Sequence, residues 1–232
     1  RTYAGEVVVA DILTEGRLML GVGRGAFKYE MERLGVPMEE TQERFNESLA
    51  VLQALLSQEE VSWDGDYYHF DAITIMPRPL SPGGPQMMMA VMNPEGIYHC
   101  TKRGFHIQTT PLAGNHQLLL DQVNSFKRAK NEMGEVGRDQ TLTLSRVAFT
   151  TKNEADRQQK IKVANSYYSR FDNIRYGPGV VDNGMIRELP REQTLDELAE
   201  NVLIGSPQEM TDRLGPYADL GIDRVILNIN FG

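Results

Sequence analysis

Three glycines alternate around one arginine in Gly21-Val-Gly-Arg-Gly-Ala26, and these are the residues of this chain best suited to hold an anionic ligand. Glycine at that spacing permits positive φ and close approach of the main chain, while Arg24 adds a rigid fork of donors that fits phosphate or carboxylate. Asn93-Pro94 is a second candidate, reading as N-cap and first helical residue directly after the apolar run Met87 to Met92. Such a strand-to-helix junction offers free amides and the positive end of a helix dipole, although plain capping explains the same residues. The four histidines, His69, His99, His106 and His116, lack the spacing of a zinc site, and Cys100 has no base beside it. Neither a Gly-x-Ser-x-Gly elbow nor a Gly-Lys-Ser/Thr phosphate loop is present. Chemistry carried by a bound cofactor fits this sparse inventory, because the protein then supplies binding, orientation and electrostatics.

The elements that must position these residues alternate. Tyr3 to Leu13 reads as a helix ending near Gly16, and Leu18 to Val22 as a short strand covered on both faces. Thr41 opens a helix whose stripe is Phe45, Leu49, Leu52 and Leu56, with Glu40 and Arg44 placed to pair outside. Val61 to Phe70 reads as a hairpin turning tightly at Asp64-Gly65, with Trp63, Tyr67, Tyr68 and Phe70 covering a surface and His69 hydrogen-bonded among them. Strands are expected at Gln86 to Met92, Phe105 to Thr109, Leu142 to Thr150 and Val225 to Ile229, which with the first makes five. Helices are expected from Pro94 to a point just before Gly104, from about Gln117 to Met133, after the capping pair Asn153 and Asp156, and over Leu195 to Val202. Another begins at the capping box Ser206-Pro207-Gln208-Glu209. Arg175 to Arg191 is rich in glycine and proline and reads as a mobile loop, either a lid or a surface insertion. The recurrent β-then-α order predicts a parallel sheet with helical crossovers in a single domain over residues 1–232.

Bulk properties narrow the partners. The chain has 232 residues and a formal charge of -8, which argues against nucleic acid or an anionic membrane as partner and favours a small molecule. One cysteine allows no intrachain disulfide, and no apolar run is long enough to span a bilayer, so the expectation is a cytoplasmic protein. The glycine turn also fits a dinucleotide fingerprint. That use requires a helix starting inside the glycines and a strand ending in an acid about 20 residues on; here a loop follows, and the Thr41 helix stands in the strand's place.

Several stretches, taken in order, resemble the bacterial luciferase-like monooxygenase family of flavin-dependent (β/α)8-barrel oxidoreductases. They are Asp11 with Gly16-Arg17-Leu18, Leu20-Gly21-Val22-Gly23-Arg24-Gly25, Arg44 with Glu47, and Asp64-Gly65 with Tyr67-Tyr68. Pro77-Arg78-Pro79 and Asn201-Val202-Leu203-Ile204-Gly205-Ser206-Pro207 complete the set. The resemblance implies an α/β TIM barrel in which Arg24 reaches the flavin phosphate and Gly23 lies near the isoalloxazine ring. It also implies phosphate contact at the next junction, here Met92 through its backbone, Asn93 and Gly96, in place of the family's hydroxyl side chains. It implies reduced FMN as cofactor, O2 and a small organic substrate as reactants, a separate flavin reductase, and a homodimer. A deazaflavin-dependent hydride-transfer enzyme and a non-catalytic flavin-binding protein are the alternatives that the same resemblance allows. The family's glycine turn follows the fourth barrel strand, so three βα units are expected ahead of Arg1 and a closing helix after Gly232. The family's catalytic histidine falls in that part, so no catalytic residue is assigned.

Overall fold

Apolar spacing and capping chemistry set most of the elements seen in the computed structural model, which describes residues 1–230. In chain order they are α1 (Thr2–Leu13), β1 (Met19–Val22), α2 (Lys28–Arg33), α3 (Thr41–Ser57), β2 (Val61–Asp64), β3 (His69–Ile73), β4 (Gln86–Ala90), α4 (Pro94–Lys102), β5 (His106–Thr109) and α5 (His116–Met133). There follow β6 (Leu142–Thr150), α6 (Glu154–Arg175), β7 (Val181–Asp182), β8 (Met185–Ile186), α7 (Leu195–Asn201), β9 (Leu203–Gly205), α8 (Pro207–Asp219) and β10 (Arg224–Asn228). The closing helix expected beyond the last strand concerns Gly232, which lies outside the described residues.

Two compact units divide the chain, one holding Arg1–Ala26 and Met31–Met88, the other Phe27–Glu30 and Met89 onward. In the first, a core of Ala4, Val7, Val8, Leu20, Leu55 and Leu56 joins α1, β1 and α3. The strand at Leu18 to Val22 is less covered than its apolar run predicts: Leu20 is buried, but Gly21 is exposed, and nothing lies within 4 Å of the position its Cβ would take. Residues that carry the family resemblance do structural work here. The buried Asp11 carboxylate accepts the Ser81 amide and hydroxyl, each at 2.9 Å. Arg78 donates to the carbonyls of Leu55 (3.3 Å) and Leu56 (3.1 Å), which sit in the last turn of α3 where a cation is favoured. Arg44 pairs with Glu40 at 2.8 Å, as its spacing predicts, and stacks on Tyr67.

The β2–β3 hairpin forms, but not through a two-residue turn. Asp64 pairs with His69, so residues 65–68 bridge the strands. The reason is Glu47, reaching across from α3: its carboxylate accepts the amides of Asp66, Tyr67 and Tyr68 and the Trp63 indole at 2.9 to 3.1 Å. A side chain at Gly65 would collide with that carboxylate. His69 is hydrogen-bonded to Asp64 at 2.8 Å on an exposed surface. Desolvation pushes the Glu47 carboxyl up, yet the four donated hydrogen bonds outweigh it and hold the group below the ordinary carboxylate range. A carboxyl depressed in the folded state lends stability that is complete above the unfolded value of about 4.3 and lost as pH falls through the folded one. Trp63 is the sole tryptophan, so its emission should hold steady down to about pH 4.3 and shift below it. In Glu47→Gln that acid shift should vanish; an identical shift in both proteins would show that another group controls the hairpin.

In the second unit, β6 pairs in parallel with β5, with β10 and, at its far end, with β9. β9 is a sixth strand that the sequence reading did not count. All three of its residues are buried, and Val202-Leu203-Ile204 ahead of Gly205 was the available signal. Ala113, Val147, Ile161, Ala164, Leu198 and Ile204 are among its core. Arg175 to Arg191 is not a loose loop. α6 runs through Arg175, and β7 and β8 form a small antiparallel hairpin. Asn173, fully buried, accepts the Gly179 amide at 3.0 Å and donates to the Arg187 carbonyl at 2.7 Å. Ser166, Ser169 and Arg170 of the same helix face bond to Glu188 or Leu189. The glycines and prolines that suggested mobility therefore shape a segment clasped to α6.

Candidate functional site

The glycine turn leaves β1 at Val22 and is exposed from Gly23 to Ala26. Gly25 has φ +84°, so its conformation calls for glycine, and a Cβ there would also press on the end of the Met31 side chain at 3.0 Å. Arg24 projects beside α3, where its Nη1 donates to the Gln42 amide oxygen at 3.3 Å. Gln42 in turn donates to Asn46 at 3.1 Å. No described carboxylate pairs with Arg24. Its charge is therefore held by neutral amides and remains available to an anion. Gly23 stands on the wall of a cavity of about 330 Å3 shared with Val22, Phe45, Leu49 and Tyr68. On that wall Ser48 and Tyr68 share a hydroxyl hydrogen bond of 2.8 Å.

The second strand-to-helix junction follows β4. Asn93 caps α4, its side chain accepting the Gly96 amide at 3.1 Å, and Pro94 occupies the first helical position. That bond occupies the Gly96 amide. Gly96 is needed for packing as well, since a Cβ would meet the Val91 methyl at 2.8 Å. Met92 is held from two sides. Its carbonyl accepts Nε2 of Gln122 at 2.8 Å, and its sulfur lies 3.8 Å from Nη1 of Arg175. Gln122 also reaches the Thr110 carbonyl at 3.2 Å, so one fully buried amide ties the ends of two neighbouring strands. Sequence reasoning missed it, although a glutamine three residues after Leu119 and four before Phe126, on an apolar stripe, was a readable signal. Thr110 accepts the Leu112 amide at 3.0 Å, and the Gln108 carbonyl accepts the Val91 amide at 3.0 Å.

The structure thus brings Gly23 and Arg24 together on one turn of the first unit, and Met92, Asn93 and Gly96 together on one junction of the second. The turn fits an anionic group by its open, glycine-lined backbone and its uncompensated guanidinium. At the junction, the Asn93 and Gly96 partners are satisfied within the chain, and the α4 dipole end is what remains for an anion. Cys100 is unsuited to nucleophilic work, since burial pushes its thiol up despite Arg103.

A solved structure, the monooxygenase RslO1 from Streptomyces bottropensis, superimposes with a TM-score of 0.75 at 18% identity, covering 99% of this chain and 66% of that one. The fold is accordingly the α/β barrel type expected from the sequence, over about two thirds of that neighbour's length. The chain belongs to the luciferase-like monooxygenase family, whose profile matches residues 2–224. The oxygenase component of the flavin-dependent trigonelline monooxygenase of Acinetobacter baylyi is 27% identical over 99% of this chain and 66% of its own length. The F420-dependent glucose-6-phosphate dehydrogenase of Nakamurella multipartita is 25% identical over 92% of this chain and 62% of its own. The chain thus spans somewhat less than two thirds of these relatives. Among the described residues no helix is long and apolar enough to cross a membrane.

Proposed function

We propose that this protein is an oxidoreductase that binds reduced FMN and uses O2 to oxidise a small organic substrate, with Arg24 holding the flavin phosphate. The observation that carries the reading is the Arg24 guanidinium, raised on a glycine turn and hydrogen-bonded, among the described residues, to the neutral Gln42 amide. When bound, reduced FMN supplies the electrons that activate O2 for transfer of one oxygen atom. The chain's own part is to grip the phosphate at Arg24, to let the cofactor approach the Gly23 backbone, and to offer Phe45, Leu49 and Tyr68 as an apolar wall. Met92, Asn93 and Gly96 remain cofactor contacts on the strength of the family resemblance, acting through the α4 dipole. A relative named as an oxygenase component supports delivery of the reduced flavin by a separate reductase.

F420-dependent relatives keep a second reading open, hydride transfer from a deazaflavin. Anaerobic titration with reduced FMN and with reduced F420, followed by fluorescence, separates the two. Reduced FMN should bind at least tenfold more tightly, a difference of about 1.4 kcal/mol. A preference for F420 of that size would replace the monooxygenase reading with the hydride-transfer one.

A further inference from the structure

Two arginines of the second unit line one cavity, and among the described residues neither makes an ion pair with a carboxylate. Arg146 of β6 is 6% exposed, and its Nη atoms donate to the carbonyls of Leu112 and Asn201 while Nε has no partner among the described residues. Arg213 of α8, half buried, donates to the carbonyls of Ala199 and Glu200. Three of these acceptors end α7, so the bland account is that both arginines cap that helix. Magnitudes decide against its sufficiency. A helix C-terminus carries about half a negative charge, against two full positive ones, and each guanidinium has five N–H donors, of which the carbonyls take two. Burial disfavours the charged form of Arg213 and the Arg146 and Arg157 charges add like-charge repulsion, which together outweigh the attraction of Tyr217 and of the Glu209 carboxylate.

The cavity they line holds about 380 Å3, within the range of small-ligand sites. Asn115 and His116, at the N-terminus of α5, bring a positive dipole end to the same wall. Leu119, Pro216, Tyr217 and Leu220 make the rest apolar. Glu200 and Asp212 also border it, but both are exposed and neither pairs with either arginine. We infer that this cavity is a binding site for a small organic carboxylate, its oxygens on the spare donors of Arg146 and Arg213 and its apolar body against Leu119 and Tyr217.

Calorimetric titration of the intact protein with benzoate, benzamide and inorganic phosphate tests this. Benzoate should bind saturably at one site, and benzamide, of the same shape without the charge, at least about tenfold more weakly. Arg146→Met and Arg213→Met should each weaken benzoate by about ten- to a hundredfold with far-UV circular dichroism unchanged. Should Arg146→Met fail to fold, Arg213→Met, at a half-exposed position, still decides. Absence of benzoate binding, equal binding of benzamide, or an unchanged affinity in Arg213→Met would overturn the inference, and phosphate binding as tightly as benzoate would overturn its organic body. Benzoate carries no flavin, so this site and the flavin reading fail separately.

Discussion

Arg24→Ala should weaken the binding of reduced FMN by about ten- to a hundredfold. A hydrogen bond to a charged group contributes about 1.5 to 3 kcal/mol, and 1.4 kcal/mol is a factor of ten. The side chain has little else to do. It is exposed, and its bond to Gln42 at 3.3 Å joins it to a neutral amide, so its loss should leave thermal stability within about 0.5 kcal/mol of the parent. Arg24→Lys should recover part of the affinity, because it restores the charge but not the two-pronged geometry. The loss should also shrink as salt is raised, since an exposed pair is screened over roughly 10 Å at 0.1 M. Equilibrium titration of the variants at low and high ionic strength measures all of this. An unchanged affinity in Arg24→Ala would remove the arginine from the cofactor site and with it the main support for the proposed function.

Asn173→Ala should be the most damaging of the single changes considered to stability. Its side chain is fully buried and serves the Gly179 amide and the Arg187 carbonyl with good geometry, and the Val180 amide and carbonyl at 3.4 Å. Truncation strands those groups without a partner, at about 1 to 3 kcal/mol for each well-bonded one, so a total of about 2 to 6 kcal/mol is expected. For a chain of this size that is a fall of roughly 4 to 24 °C in melting temperature. Segment 176–188 should become sensitive to trypsin at Arg187, which the clasp otherwise protects. Asn173→Asp keeps the acceptor and loses the donor, so it should fall between. Melting and proteolysis indistinguishable from the parent would mean that Ser166, Ser169 and Arg170 hold the segment without Asn173.

These expectations differ in how they could be reached. The turn at Gly23 and Arg24, the cap at Asn93 with Pro94, and the capping box of Ser206 and Glu209 were legible because their causes lie within four residues of one another. The nine-residue strand Leu142–Thr150 was legible too, its β-branched and apolar run being unbroken. The order of motifs identified the family, which its profile then showed over residues 2–224. Tertiary structure alone decided that Glu47 shapes the hairpin loop, that Asn173 turns a glycine-rich stretch into a docked hairpin, that Gln122 ties Met92 to Thr110, and that Arg146 and Arg213 meet at one cavity. Each is a polar side chain whose hydrogen-bond partner lies 6 to 55 positions away, as Asn173 with Gly179 and Arg146 with Asn201 mark the two ends. Local periodicity and capping carry no information on such pairs. The requirement that a buried donor or acceptor be satisfied is met by whatever group the fold brings within about 3 Å.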